Sequence, residues 1–382
     1  MTDRTDVMLH RIFERPRRPG HSLACLVVAA VLAINGAAKA EPAIDAIIDD
    51  AGLTEGPVPV RERDGWRAPR KIVVRDEYGL VERLRRAFPD VDIVGVSSSE
   101  QAAAAVRGAD AVLGFCDARV LDRADRLVWV QIFSAGAEDC LAVDAVGSGD
   151  VLLTNMQKMA SPVIGEHAVA LMLALARGIV PYAKIMSAGD WDREPAGEML
   201  SLNGKTLLVA GLGGIGTAVA RRADGLGMRV IATRNSSRSG PAFVDYVGLS
   251  GELLELAAQA DVVVNALPLT PETTNLFGRE FFDAVKPGAL FINVARGGSV
   301  VTDELVAALE DGRIAGAGLD VTEPEPLPPG HQLWRMDNVI ITPHVAGSGN
   351  ERDHFPILFE ENVRRFIAGD ALLNVVDPEL GY

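Results

Sequence analysis

From Lys71 onward, short apolar runs alternate with polar or helix-periodic stretches. Runs of strand length cover Ile72–Val74, Val91–Val96, Ala111–Phe115, Val128–Phe133 and Val151–Thr154, with helical segments such as Tyr78–Ala87 and Ser99–Val106 between them. A second series begins at Thr206 and contains Leu207–Ala210, Arg229–Thr233, Asp261–Leu267, Ala289–Val294, Gly316–Val321 and Val339–Thr342. Short, almost wholly apolar strands separated by helices are the pattern of parallel sheets covered on both faces. The chain is therefore expected to be an α/β protein with two doubly wound parallel sheets. Between the two series, Ser161-Pro162 predicts an N-cap and a first helical residue, with the helix running from Pro162 to about Ile179. Ala168 to Ala176 is apolar at every position, which predicts a helix buried all round, by the domains or by a partner subunit. Residues 41–70, with four prolines and three glycines, read as an arm or loop, and Asp190–Lys205 as a connection.

The N-terminus follows a different pattern. Arg4, Arg11, Arg15, Arg17 and Arg18 precede twelve unbroken apolar residues, Leu23–Ile34, and Ala38-Lys39-Ala40 follows. That charged, apolar and small-residue order is the order of a secretory signal, so residues 1–40 are expected to be removed and the mature chain to start at Glu41 in the periplasm or otherwise outside the cytoplasm, the alternative being a cytoplasmic protein whose leader is not used. Twelve helical residues span about 18 Å, short of a hydrocarbon core of about 30 Å, so no stable membrane span is expected after processing.

Composition narrows the partners. Of 382 residues, 48% are hydrophobic and 23% charged, the values of a globular protein with a buried core. Lys and Arg number 37 against 52 Asp and Glu, a formal net charge of −15. So acidic a surface disfavours nucleic acid. The three cysteines lack zinc-site spacing, and no metal is expected. Cys116 and Cys140, which remain after processing, could pair in an oxidising compartment, but sequence separation does not give their distance and they read better as two buried free thiols.

Gly211-Leu212-Gly213-Gly214-Ile215-Gly216 is a G-x-G-x-x-G that follows one of the strand runs and opens a helical stretch, the context in which the motif binds a dinucleotide. Gly211 permits the tight turn, Gly213 lets main chain approach a pyrophosphate, and Gly216 lets helix pack on strand. The helix N-terminus supplies unpaired N–H groups to the phosphates. Eighteen residues after Gly216, where NAD-binding sheets usually carry an acid for the ribose 2′-hydroxyl, stands Arg234, followed by Asn235 and Arg238. An acid there would repel a 2′-phosphate, whereas an arginine fork suits one, so NADP(H) is expected in preference to NAD(H).

Three later strands are each followed by a polar side chain: Arg296 after Phe291–Val294, Asp320 and Glu325 around Gly318–Pro326, and His344 after Val339–Thr342. Ligands of open α/β sheets bind at the carboxyl ends of strands, so these groups are placed to converge beside a nicotinamide. Reducing a 2-oxo acid needs a proton at the carbonyl oxygen as hydride reaches the carbon. Histidine titrates near neutrality and a neighbouring carboxylate favours its charged form, while a guanidinium grips a carboxylate at two points.

With Asn203-Gly204-Lys205, Leu267-Pro268-Leu269-Thr270-Pro271-Glu272-Thr273, Asn293-x-x-Arg296-Gly297, Asp320-Val321 with Glu325-Pro326, and Thr342-Pro343-His344, the chain resembles the D-isomer-specific 2-hydroxyacid dehydrogenases, including glyoxylate/hydroxypyruvate reductases, from about Lys71 to the C-terminus. The resemblance implies that Arg296 binds the substrate carboxylate and carbonyl, that His344 is the acid/base and that Glu325 pairs with it. It further implies that Asp320 lies on the nicotinamide side, that main chain at Ala135 and Gly136 holds the carboxylate, and that Pro268 and Thr273 join Gly211, Gly213, Ile215, Gly216, Arg234, Asn235 and Arg238 around the cofactor. The implied fold is a flavodoxin-like substrate domain, 41–158 completed by 346–382, and a Rossmann cofactor domain, 159–345, with the active site between them. The long helix then belongs to a homodimer interface. A non-catalytic dinucleotide-sensing or scaffold protein on the same fold is the alternative.

Overall fold

A computed structural model describes residues 44–192, 199–349 and 354–382; the leader expected at 1–40 lies outside the described residues. Two parallel sheets organise the rest. The first joins β1 (Lys71–Arg75), β2 (Asp92–Val96), β3 (Ala111–Leu113), β4 (Trp129–Gln131) and β5 (Leu152–Thr154) in the order β2-β1-β3-β4-β5. The second joins β6 (Thr206–Ala210), β7 (Arg229–Thr233), β8 (Tyr246–Gly248), β9 (Val262–Asn265), β10 (Ala289–Asn293), β11 (Ile314–Leu319) and β12 (Val339–Ile341) in the order β12-β11-β10-β9-β6-β7-β8. Register is continuous across the centre of each: Ile72 pairs Ala111 and Ile93 in the first sheet, and Asn265, Asn293 and Leu319 run side by side into Ile341 in the second. The expected α/β class with two parallel sheets is what the chain forms.

Each sheet is buried on both faces because its strands carry apolar side chains on both. In the second, Leu208, Ile231, Val263 and Phe291 face one core while Leu207, Val230, Val262 and Ile292 face the other. In the first sheet, Ile72, Val74 and Trp129 lie in one core and Val73, Val112 and Val130 in the other. The helix Phe355–Ala368, far along the chain, closes the first sheet: Phe366 stacks on Trp129 at 5.0 Å and Phe359 on Phe133 at 4.5 Å. A helix of the first core, Ile44–Ala51, replaces part of the expected arm. Ile44, Ile47, Ile48 and Ala51 have helical spacing and pack in that core, a pattern hidden by the prolines that follow. Strand β8 was likewise not foreseen; three residues at a sheet edge, paired only with β7, are too short to show a period.

The long helix departs from expectation in three ways. It spans Ser161–Ala176, with Ala160 as N-cap, so Ser161 lies inside the first turn. Gly178, at φ 62°, breaks the chain before a second helix, Ile179–Ser187, bent 73° from the first. Nor is the helix buried all round. Ala168, Leu171, Met172 and Ala176 are buried against the second sheet, whereas Val169 and Leu173 are half-buried and Ala170 is exposed. Among the described residues no single helix is long and apolar enough to cross a membrane.

The cysteines are also a correction. Cys116 and Cys140 form a disulfide, with Cα atoms 5.3 Å apart. Adjacent strands β3 and β4 end side by side, and the segments leaving them bring the two cysteines within the span a disulfide requires, a proximity that sequence separation does not encode.

Candidate active site

Gly211-Gly216 turns from β6 into the helix Gly214–Gly225 at the point where the order of the second sheet reverses. Gly211 has φ 95°, and a Cβ there would lie 2.9 Å from the Ala266 carbonyl; a Cβ on Gly216 would lie 2.0 Å from the Gly211 carbonyl. Only glycine fits these two positions. At Gly213 a Cβ would meet nothing within 4 Å. The main chain therefore opens onto free space at the helix N-terminus, a cradle that a side chain would fill and that a pyrophosphate fits.

At the end of β7, Arg234 donates to the Ser239 carbonyl at 3.2 Å, and among the described residues it pairs with no carboxylate. Lys158, half-buried with its side chain against Gly214, bonds the Gly52 carbonyl; burial and then the charge of Arg234 lower its pKa. Two cations thus stand near the glycine turn. Arg238 differs. It is bound by Glu252 at 2.7 Å and by the Tyr246 hydroxyl at 2.9 Å, and the bonds that Glu252 accepts from Arg238, then the Tyr246 hydroxyl and Leu249 N–H, lower its carboxyl to about 2. Asn235 is exposed beside it, and Ile215 packs on the core under the turn.

Arg296, Asp320 and His344 follow three adjacent strands, β10, β11 and β12. A buried network sets the Arg296 backbone: Asn265 donates to Asn293 at 3.1 Å and to Ser299 at 2.8 Å, and Asn293 and Ser299 both donate to the Arg296 carbonyl. The guanidinium reaches across to the first sheet. Its Nε lies 3.1 Å from Glu138 Oε1, and a Cβ on Gly136 would stand 1.8 Å from Nη2. In the loop after β4, the Ser134, Ala135 and Gly136 carbonyls are taken by Met156 N–H, Asn155 and the Ser134 hydroxyl respectively. Among the described residues the Ala135 and Gly136 N–H groups have no acceptor. Two free donors beside a guanidinium form a receptor for a carboxylate.

His344 has φ 53°, an uncommon conformation for a non-glycine residue. Asp320, 2% exposed, holds the turn: its carboxylate accepts from the Thr342 hydroxyl at 2.6 Å, Val345 N–H at 2.9 Å and Ala346 N–H at 2.9 Å, while its carbonyl accepts His344 N–H at 2.8 Å. Because Thr342 donates to Asp320, it accepts from His167 Nε2, 2.9 Å away on the long helix. Glu325 Oε1 lies 2.7 Å from His344 Nδ1, and among the described residues Nε2 has no partner. A carboxylate on Nδ1–H fixes the tautomer in which Nε2 is available to exchange a proton.

Residues 169–346 match the family described as D-isomer specific 2-hydroxyacid dehydrogenase, NAD binding domain. The chain is 34% identical over 309 residues to the glyoxylate reductase of Pyrococcus furiosus, covering 78% of this chain and 86% of that enzyme. The chain belongs to the D-isomer-specific 2-hydroxyacid dehydrogenase family. Among solved structures, an NADPH-dependent glyoxylate/hydroxypyruvate reductase of Sinorhizobium meliloti in complex with NADP and sulfate superposes with a TM-score of 0.71 at 27% identity, covering 82% of this chain and all of that one. A D-isomer specific 2-hydroxyacid dehydrogenase of Xanthobacter autotrophicus bound to NADPH has a TM-score of 0.68 at 32% identity, over 82% of this chain and all of that one.

As an NAD(P)-binding 2-hydroxyacid dehydrogenase, the protein sets the remaining anticipated residues in two ways. Pro268 and Thr273 lie in the loop after β9, beside the glycine turn, but the Thr273 hydroxyl is committed within that loop, donating to Pro268 O and accepting from Thr270 N–H, both at 2.7 Å. Asp320, anticipated beside the nicotinamide, has its carboxylate engaged by the His344 turn. Sequence reasoning missed Glu138, Lys158, His167 and the Asn265–Asn293–Ser299 network. Only His167 had a local signal, as half of a Glu-His pair opening an otherwise apolar helix.

Proposed function

We propose that this 2-hydroxyacid dehydrogenase is an NADP(H)-dependent reductase of small 2-oxo acids, with glyoxylate and hydroxypyruvate as substrates, that acts outside the cytoplasm as a homodimer. The observation that carries the reading is Arg296 set against Gly136, where the Ala135 and Gly136 N–H groups are free among the described residues, with a histidine held by a carboxylate at the end of β12 in the same sheet as Arg296. A substrate carboxylate takes those donors, and Arg296 polarises the adjacent carbonyl. When bound, the nicotinamide cofactor supplies the hydride. His344 Nε2 gives its proton to the carbonyl oxygen, and Glu325 holds the ring through Nδ1.

Arg234, which pairs with no carboxylate among the described residues and lies close to Lys158, supports the NADP(H) preference, as do the NADP and NADPH bound in the two solved relatives. Export rests on the leader and on the Cys116–Cys140 disulfide, a bond that persists in oxidising compartments. The dimer rests on the half-buried Val169 and Leu173 of the long helix and on Ile179 and Met186 of the helix after it, 54% and 74% exposed. The test is oxidation of NADPH and NADH with glyoxylate, hydroxypyruvate and pyruvate. Turnover of glyoxylate or hydroxypyruvate with NADPH in preference to NADH is expected; binding of NADPH with no turnover of any 2-oxo acid returns the chain to a sensing or scaffold role. A mature N-terminus at Glu41 checks export, and light scattering checks the dimer.

A further inference from the structure

Arg296 does not wait for substrate with its charge free. Glu138 Oε1 lies 3.1 Å from Nε, and a Cβ built on Gly136 would stand 2.5 Å from Glu138 Oε2 as well as 1.8 Å from Arg296 Nη2. Guanidinium and carboxylate therefore lie together against the bare Cα of Gly136, inside the receptor formed by the Ala135 and Gly136 N–H groups. Glu138 opens the four-residue helix Glu138–Leu141. That helix is fixed: Ala137 and Cys140 on either side of Glu138 are each 2% exposed, and Cys140 is bonded to Cys116 at the end of β3. Its backbone has no room to withdraw, so an arriving substrate displaces at most the side chain, and the Glu138 charge stays within a few ångströms of the bound acid. Arg75, at the end of β1, adds no spare charge, because it lies over the Phe115 ring and pairs with Glu77 at 2.8 Å.

We infer that Glu138 sets the charge of the acid the site accepts, neutralising Arg296 in the free enzyme and selecting 2-oxo acids with a single negative charge over dicarboxylic ones. The inference rests on the proposed reductase reading and narrows its substrate class. With Glu138 present, one guanidinium serves its own carboxylate and that of the substrate; a second substrate carboxylate would bring a third anion to one cation in a partly shielded site. Neutral substituents such as the hydrogen of glyoxylate or the hydroxymethyl of hydroxypyruvate avoid that repulsion. Glu138 acts through Arg296 and is a positioning residue, not a proton donor.

Oxamate and oxalate, nearly isosteric and differing by one charge, are the probes. Their binding to the full-length protein in the presence of NADPH is measured by calorimetry for the unmutated chain, Glu138→Gln and Glu138→Asp. Glu138→Gln is expected to tighten oxalate by about tenfold and oxamate by about threefold, since removing a like charge matters more to a dianion. In turnover, KM for oxaloacetate should fall more than KM for glyoxylate, with the change carried by KM. Glu138→Asp, which keeps the charge, should retain the preference for oxamate. An unchanged ratio of oxalate to oxamate affinity in Glu138→Gln, or weaker binding of both, overturns the inference and leaves Glu138 as a brace for Arg296. If the unmutated protein binds both probes but reduces no 2-oxo acid, the reductase reading fails while the binding ratio still decides the role of Glu138.

Discussion

On the seven-stranded sheet, each candidate group is a side chain placed just past a strand: Arg296 after β10, Asp320 after β11, His344 after β12. On the five-stranded sheet, the corresponding surface is mostly main chain. The loop after β4 offers the Ala135 and Gly136 N–H groups, freed because its carbonyls are satisfied inward, and a single acid, Glu138, set against the arginine from the other sheet. The cofactor-side sheet thus presents the groups to which the proposed function gives proton transfer and carbonyl polarisation. The other sheet presents a rigid receptor whose shape depends on glycine and on a disulfide. On the proposed reading, chemistry resides in the first and choice of substrate in the second.

The strongest way to separate the two is to disable one element of each. His344→Gln removes the group that serves as proton donor in the proposed mechanism and leaves Arg296, which stays protonated, and Glu325, which is engaged with the ring. kcat should fall by about 10²–10⁴-fold while NADPH binding, measured by fluorescence, is retained. Retention of unmutated kcat would falsify the assignment of His344. Gly136→Ala acts on the other side. Its Cβ would stand 1.8 Å from Arg296 Nη2, so the guanidinium must move off the carboxylate receptor. kcat/KM should drop by about a hundredfold, with NADPH affinity unchanged, because misplacing a substrate clamp by about 1 Å is enough to cost that much. Equal losses of NADPH affinity in the two variants would erase the division of labour.

The same asymmetry governs what was legible in the sequence. Side-chain chemistry leaves letters at fixed spacing, so the glycine turn, Arg296, Glu325 and His344 were readable, and their order matched a known family. Free main-chain N–H groups leave none: Ala135 and Gly136 could be anticipated only by resemblance. Glu138 and Arg296 are far apart in sequence and meet only because two sheets face one another. The Cys116–Cys140 bond was missed for the same reason, proximity being a property of β3 and β4 lying side by side. Small elements escaped because three residues of β8 or one turn of Glu138–Leu141 cannot display a period. The break at Gly178 was passed over because the apolar pattern continues beyond it, although a glycine in the left-handed region ends a helix whatever follows.

A finer test lies within the cofactor side. Arg234 donates to a carbonyl and lies near Lys158, with no acid on it among the described residues. Arg234→Ala should raise the KM for NADPH by about ten- to a hundredfold, the worth of one charge-assisted contact of about 1.5–3 kcal/mol, and leave NADH almost unaffected. Equal or better kcat/KM with NADH in the unmutated enzyme would mean that this arginine merely faces solvent.

The smallest effect is expected four residues further on, at Arg238, and it sharpens the contrast because sequence alone gave both arginines the same role. Arg238 is already spent on Glu252, at 2.7 Å, and on Tyr246, at 2.9 Å. The bonds that Glu252 accepts from Arg238, Tyr246 and Leu249 keep its carboxyl down at about 2, so Glu252 remains ionised and paired across any assay between pH 5 and 9, about three units or more above its midpoint. For Arg238 to reach a 2′-phosphate it would have to leave an ion pair for another anion, a near-even exchange on an exposed surface. Arg238→Ala should therefore change the NADPH KM by less than about threefold. The sharper variant is Glu252→Gln, which releases Arg238 without removing it. If the pair is what withholds Arg238, this substitution should tighten NADPH by a few-fold and leave NADH unmoved. A tenfold loss of NADPH affinity in Arg238→Ala would instead show that Glu252 presents the arginine to the phosphate, and the two arginines would then act as one site.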